Sequence, residues 1–438
     1  MNKFFKIEEK GSTIKAEIIG GITTFLSMSY ILAVQPAILA DAGMDPNAVF
    51  TATIWSAIVG TLIMGLYANM PLALASGMGI YAFFTYTVVL SMGYTWQTGL
   101  FSIFISGILF LIISLTGLRA KIINVIPNSL KYATSAGIGM YIAFIGLKNV
   151  GIIVSDPATF VTLGDITQPT ILVAIVGIIV ILALTVRDNN IAVFAGMVVA
   201  MILSIILQFA GTDMGIIYPD SIVSTPPSIE PIFGHLFDNF DPSILLDLKF
   251  WTIVFSFLFI DFFDTAGTLI AVGTEASLID KDGNINDAKK ALFADAAATT
   301  AGTIFGTTSV TTFVESLAGV KAGARTGLAA VVVCCCFAIS LFFSPLLAFV
   351  TNSVTAPALV AVGALMCLNI GKVNFTSFID SVSAFFIMLF MLLTYSIANG
   401  IAIGFIMYTV LKLLSGEKED LSPLIYVLSV VFIIYFII

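Results

Sequence analysis

The sequence predicts an all-α polytopic membrane protein with about 14 transmembrane segments in two inverted seven-helix repeats. Three observations carry this prediction. The 438-residue chain is 59% hydrophobic and only 10% charged, with mean hydropathy +1.09, whereas soluble proteins are about 25% charged. Its apolar runs recur at bilayer-crossing length between short polar turns. Two runs, the third in each set of seven, are interrupted by Gly, Ser and Thr where helix would otherwise continue.

In chain order, Lys3, Lys6, Lys10 and Lys15 lead into a first span over 17–38, followed by spans over 48–69, 71–91, 96–117, 128–147, 169–186 and 190–210. The first stretch, Met1 to Lys15, is polar and has neither an apolar h-region nor a cleavage site, so no signal peptide is expected. Residues 211–249 form one long loop rich in Asp, Ser and Pro. The second set reads 250–275, 288–305, 307–321, 326–350, 355–371, 377–394 and 396–414. A last apolar run over 422–438 is at the lower limit for crossing, and its length does not decide whether it does.

Positive charge fixes the orientation. With the N-terminus inside, 16 of the 18 basic residues fall on the inner side, leaving only Lys148 and Lys249 outside. Seven spans is an odd number, so the second set runs opposite to the first. Inverted repeats with breaks at matching positions point to a transporter whose site lies at the midplane. A broken helix frees backbone N–H and C=O groups, and in a membrane these survive only beside a cavity or paired with similar backbone. The β-prone run Ser309-Val310-Thr311-Thr312 is therefore expected to pair, over about 308–311, with an extended piece near 75–78.

The carboxylates Asp261, Asp264 and Glu315 lie beside these breaks. A carboxylate facing lipid at the bilayer centre costs about 2.5–3.5 kcal/mol on insertion scales. The three must face a polar cavity or one another, which makes them candidates for substrate or proton sites. Asp261 and Asp264 are spaced i, i+3, and Asp264 and Thr268 i, i+4, so all three share a helix face. Glu315 follows the start of a half-helix, where free N–H groups favour an acceptor. Thr307, Thr308, Thr311 and Thr312 can serve either a ligand or the local capping of the break. Phe83, Phe262 and Phe263 can supply a stacking face or pack as core. Glu17, Asp295 and Glu275 sit nearer span ends and read as structural or gating acids. His235 reads as a solvated loop residue. Cys334, Cys335, Cys336 and Cys367 lie in apolar segments and read as small packing residues.

The runs Gly77-Met-Gly-Ile-Tyr-Ala-Phe-Phe84, Phe262-Phe-Asp-Thr-Ala-Gly-Thr-Leu269, Thr311-Thr-Phe-Val-Glu-Ser316, Gly323-Ala-Arg-Thr-Gly-Leu328 and Thr394-Tyr-Ser-Ile-Ala-Asn-Gly400 together resemble the AzgA-type purine permeases. These are the adenine/guanine/hypoxanthine branch of the nucleobase–ascorbate transporter superfamily. The resemblance implies fourteen spans in two inverted repeats and a division into core and gate domains. The core would comprise residues 1–127 and 250–350 (spans 1–4 and 8–11), the gate 128–210 and 351–438, with 211–249 an extracellular loop. It also implies proton-coupled uptake of purine bases at the cell membrane, with substrate held between spans 3, 8 and 10. On that reading Asp264, Glu315, Tyr81, Thr268, Phe263, Thr311 and Gly79 bind substrate, and Asp261, Asp264 and Glu315 carry the coupling proton.

Two positions depart from the family pattern. The family usually has Asn where this chain has Tyr81, and tends to have Pro where it has Leu392. The first change predicts weaker or shifted purine binding, the second only a local change of helix geometry.

Two rivals remain on the sequence alone: a carrier of uracil or xanthine on the same fold, and a channel. Acids at 264 and 315 argue against inorganic anions, and no selectivity loop repeats. An enzyme is not expected, since no nucleophile–base pair, phosphate loop or metal-ligand set appears. No cofactor and no nucleic-acid partner are expected. The expected partners are a purine base, a proton, the lipid bilayer and, as one option for assembly, a second copy in a homodimer.

Overall fold

A computed structural model of the chain describes residues 2–116, 126–238, 241–276, 288–417 and 421–437. The basic residues Arg119, Lys121, Lys281 and Lys418 used for orientation lie outside these, as do the side chains of Phe263 and Glu275. Among the described residues, nine helices are long and apolar enough to cross a membrane.

After a short α1 (Asn2–Phe5), α2 (Ile14–Met28) and α3 (Ile31–Asp41) run on as one span, longer at both ends than the 17–38 expected. Thr13 caps α2 by accepting from the Ala16 N–H at 3.1 Å. α4 (Pro46–Ile63) starts from an Asp45 cap with Pro46 in its first turn and continues as a π-helical turn over Met64–Ala68. The first broken span is β1 (Leu74–Ser76), then α5 (Met78–Ala82) extended as π-helix over Phe83–Ser91. α6 (Trp96–Thr116), α7 (Asn128–Asn149), α8 (Pro169–Val186) and α9 (Ala192–Phe209) complete the first half. A β2–β3 hairpin (Ile153–Asp156 with Phe160–Leu163) between α7 and α8 is not anticipated by the sequence reading.

The second half comprises α10 (Leu248–Glu275), α11 (Ala288–Phe305), β4 (Val310–Thr312), α12 (Ser316–Lys321), α13 (Gly327–Ser340), α14 (Asn352–Cys367), α15 (Phe378–Leu393), α16 (Ile397–Leu414) and α17 (Pro423–Ile437). The undecided last run is thus a 15-residue helix, roughly 22 Å long against a hydrocarbon core of about 30 Å. It packs Phe432 on Phe259 and Phe405, with ring centroids 5.9 and 5.7 Å apart. Leu392 sits in the last turn of α15, where its carbonyl accepts from the Tyr395 N–H.

β1 and β4 pair antiparallel, Leu74 with Thr312, Ala75 with Thr311 and Ser76 with Val310. The pairing is as expected, but β1 begins a residue earlier and β4 two residues later than predicted. The Gly77 N–H donates to Ser309 O at 3.1 Å and the Phe313 N–H to Ala73 O at 2.9 Å, extending the ladder at both ends. Flanking side chains satisfy the outer edges of this pair. Thr61 Oγ1 donates to Leu74 O and accepts from its N–H, Ser316 Oγ accepts from the Ala73 N–H, and Thr299 Oγ1 reaches Val310 O at 3.1 Å. Buried backbone groups are thereby paired without an open sheet edge. α11 ends at Gly306, whose φ of +90° suits glycine and turns the chain into β4.

Glycines let the spans cross at backbone contact. A Cβ added to Gly139 would lie 2.5 Å from Gly363 O, one on Gly363 would lie 2.4 Å from Gly139 O, and so α7 and α14 touch back to back. The segment between α9 and α10 also packs against the helices: Ile232 is 1% exposed, and the Gly234 N–H donates to Ile304 O at 2.8 Å. His235 is tied locally, Nδ1 to Asp238 at 2.5 Å and Nε2 to Glu230 O at 2.9 Å.

Candidate functional site

The strand pair brings the sequence-predicted carboxylates to one place. Thr311 on β4 donates through Oγ1 to Asp264 Oδ2 on α10 at 3.1 Å. Gly77, between β1 and α5, lies against the same pair: a Cβ there would fall 3.1 Å from Thr311 Oγ1 and 3.2 Å from Asp264 Oδ2. Glu315, between β4 and α12, accepts from the Tyr30 hydroxyl at 2.5 Å. Tyr81 on α5 is fully buried. Its hydroxyl has no hydrogen-bond partner among the described residues.

The acids divide by exposure. Asp264 and Glu315 are half-buried, whereas Asp261 and Asp295 are 2% and 0% exposed. Asp295 accepts from Thr265 Oγ1, which lies 2.9 Å from both carboxylate oxygens. Thr299 Oγ1 lies 3.3 Å from Asp261 Oδ2, 2.8 Å from Ser309 Oγ and 3.1 Å from Val310 O, and its one proton serves one of them at a time. The buried acids are thus wired into the frame behind the strands, and the half-buried pair faces outward from it. Glu17 is structural. Its carboxylate accepts from the N–H groups of Arg325, Thr326 and Ala329 at 2.9, 3.3 and 3.3 Å, capping α13.

Other predicted residues sit further from the carboxylates. Thr268 is buried one turn beyond Asp264 on α10. Gly79 faces α7 and α16, since its Cβ would meet Ile138 Cγ2 at 3.0 Å and Ile397 Cδ1 at 3.6 Å. Phe83 packs edge-on against Phe257 at 5.1 Å, and Phe262 lies 6.2 Å from Phe110, so both rings serve helix packing. α12 has six residues and Glu315 makes no side-chain cap.

Sequence reasoning missed Tyr30 and Gln35. Gln35 is fully buried; its Nε2 donates to Thr307 Oγ1, and its Oε1 accepts from Thr53 at 3.0 Å. Ser76 and Thr308 hydroxyls also bond each other across the break. The available signal was the polar content of the first span, Thr23, Thr24, Ser27, Ser29, Tyr30 and Gln35 inside an apolar run.

Where α3 ends and α7 ends, Tyr86 donates to Asp41 Oδ2 at 2.8 Å and accepts from Asn149 Nδ2 at 3.1 Å. Lys148 Nζ lies 5.6 Å and 5.1 Å from the Tyr86 and Tyr395 ring centroids. A cavity of about 130 Å³ opens there among Asp41, Asn149, Asn352 and Thr355.

Broken spans crossing at a carboxylate pair define a polytopic membrane transporter. The chain belongs to the Permease family, whose model matches residues 15–403, and the AzgA-type resemblance holds over essentially its whole length. It is 46% identical to the guanine/hypoxanthine permease PbuG of Bacillus subtilis (strain 168), covering 100% of this chain and 99% of that one. It is 40% identical to the adenine permease AdeP of Escherichia coli (strain K12), covering 99% and 95%. Among solved structures, the transmembrane domain of the cyanobacterium bicarbonate transporter BicA shares the fold at TM-score 0.67 and 15% identity, over 89% of this chain and 97% of that one.

Proposed function

We propose that this protein is a proton-coupled secondary transporter that takes up purine nucleobases (hypoxanthine, guanine and adenine) by alternating access across the cell membrane. The observation that carries the reading is the pair Asp264 and Glu315, half-buried at the crossing of two broken spans and held by hydroxyls. Two carboxylate acceptors suit the ring N–H and exocyclic NH₂ donors of a purine edge. They repel inorganic anions, so the shared fold with a bicarbonate transporter does not extend to its substrate. The names of PbuG and AdeP support the same substrate class.

In this reading the chain has fourteen spans with a cytoplasmic N-terminus. Residues 1–127 and 250–350 form a core that carries the site, and 128–210 and 351–438 form a gate that it moves against. The Asp41–Tyr86–Asn149 bridge then ties core to gate on the outer side. Asp261, behind the site, joins Asp264 and Glu315 in handling the proton.

The choice of proton follows from family membership and is tested directly. Uptake of labelled hypoxanthine collapses on adding a protonophore and continues in sodium-free buffer; dependence on sodium overturns the coupling.

Tyr81 tunes preference. Its unpartnered phenol offers a ligand one hydroxyl, where an amide offers donors and an acceptor. A hydrogen bond is worth about 0.5–1.5 kcal/mol net, so Tyr81→Asn lowers the uptake KM for at least one of hypoxanthine, guanine and adenine several-fold. Unchanged KM for all three removes Tyr81 from the pocket.

A further inference from the structure

We infer that Tyr30 is the positioning residue for Glu315: its hydroxyl holds Oε1 of that carboxylate and thereby aims Oε2 at the ligand. The inference rests on the reading of Glu315 as a substrate contact.

Tyr30 is 1% exposed and donates to Glu315 at 2.5 Å across 285 residues of chain. Glu315 has its backbone in a short link between β4 and α12, and Tyr30 reaches its carboxylate from a distant span. A glutamate there has three rotatable bonds and no helix cap to fix them. A phenol has two torsions and a ring packed in the core, so it is the stiffer partner.

The chain makes Tyr30 stiff in turn. It lies at the handover from α2 to α3, where the backbone tightens: Leu32 N–H donates to Ser29 O at 3.1 Å, and Ala33 N–H to Tyr30 O at 3.1 Å. Pro36 supplies no N–H to the next turn. Ser27 Oγ reaches Asn190 O at 2.6 Å, and Phe25 packs edge-on to Phe337 at 5.2 Å, anchoring this turn on two sides. On α5 the buried Tyr81 hydroxyl has no hydrogen-bond partner among the described residues.

Tyr30→Phe removes the hydroxyl and keeps the ring. In full-length protein, equilibrium binding of labelled hypoxanthine weakens roughly tenfold, as expected for a bond to a charged group, and uptake KM rises with it. Vmax and melting temperature stay near the wild-type values. Infrared difference spectra of the ligand-free protein provide a second readout. The carboxyl band that Glu315→Gln abolishes shifts in Tyr30→Phe. Unchanged affinity in Tyr30→Phe, or a band that does not move, overturns the inference. If wild type itself fails to bind hypoxanthine, the substrate reading falls, and the band shift alone then decides whether Tyr30 holds Glu315.

Discussion

Glu315→Gln and Asp264→Asn each reduce concentrative hypoxanthine uptake to background, while both proteins insert and remain monodisperse. Each change keeps the side chain's size and removes a carboxylate oxygen that accepts, replacing it with an amide that donates. At Glu315 the Tyr30 hydroxyl and the ligand N–H both require acceptors; at Asp264 the Thr311 hydroxyl does. Turning an acceptor into a donor opposite an N–H strands both groups, at about 1–3 kcal/mol each. That corresponds to a loss of at least ~10–100-fold in affinity, before any loss of proton coupling. Uptake in vesicles, with binding measured on the same protein, separates the roles: binding kept and accumulation lost marks a coupling acid. Full-rate uptake at neutral pH by either variant would falsify the assignment of that residue.

Gly327→Val eliminates folded protein. Gly327 begins α13 beside the π-helical turn after α4, and a Cβ there would lie 1.9 Å from Gly65 O and 2.6 Å from its carbonyl carbon. Both obstacles are backbone, so no rotamer relieves the clash. Overpacking that a core can absorb costs about 1–3 kcal/mol; here α4 and α13 must separate. That separation disturbs the α13 cap held by Glu17 and the Gly327 N–H bond to Asn69 Oδ1. Whole-protein stability is about 5–15 kcal/mol, so the variant is expected to aggregate on size exclusion. Gly371→Ala is the control, since nothing lies within 4 Å of its Cβ position and its backbone is not in the left-handed region. A Gly327→Val protein with wild-type melting temperature contradicts this packing.

The elements legible in the sequence were those set by transfer free energy. Long apolar runs, the acids among them and the two Gly/Thr/Ser breaks are local signals, and they located spans, candidate carboxylates and the β1–β4 pairing. What the sequence reading lacked were partnerships across the chain. Tyr30 looks like one more aromatic in an apolar run until the fold puts it 2.5 Å from Glu315. Glu17 reads as a span-end acid until the chain entering α13 presents the N–H groups of Arg325, Thr326 and Ala329 to it. Gly79 carries a motif, yet what it touches, Ile138 and Ile397, is decided by how α7 and α16 pack. The β2–β3 hairpin was hidden because its two strands, though β-prone, are only four residues each, too short for periodicity to set them apart from the loop between two spans.

The central claim is that the carboxylate pair beside the strand crossing forms a carrier site for purine bases. Counterflow tests it most directly. Proteoliposomes holding wild-type protein are loaded with unlabelled hypoxanthine and diluted into labelled hypoxanthine without an ion gradient. The account predicts transient, saturable accumulation of label, suppressed by guanine and adenine, not by uracil, and absent with Glu315→Gln. Flux that rises linearly with concentration and does not accumulate, or accumulation suppressed by uracil and indifferent to purines, would contradict it.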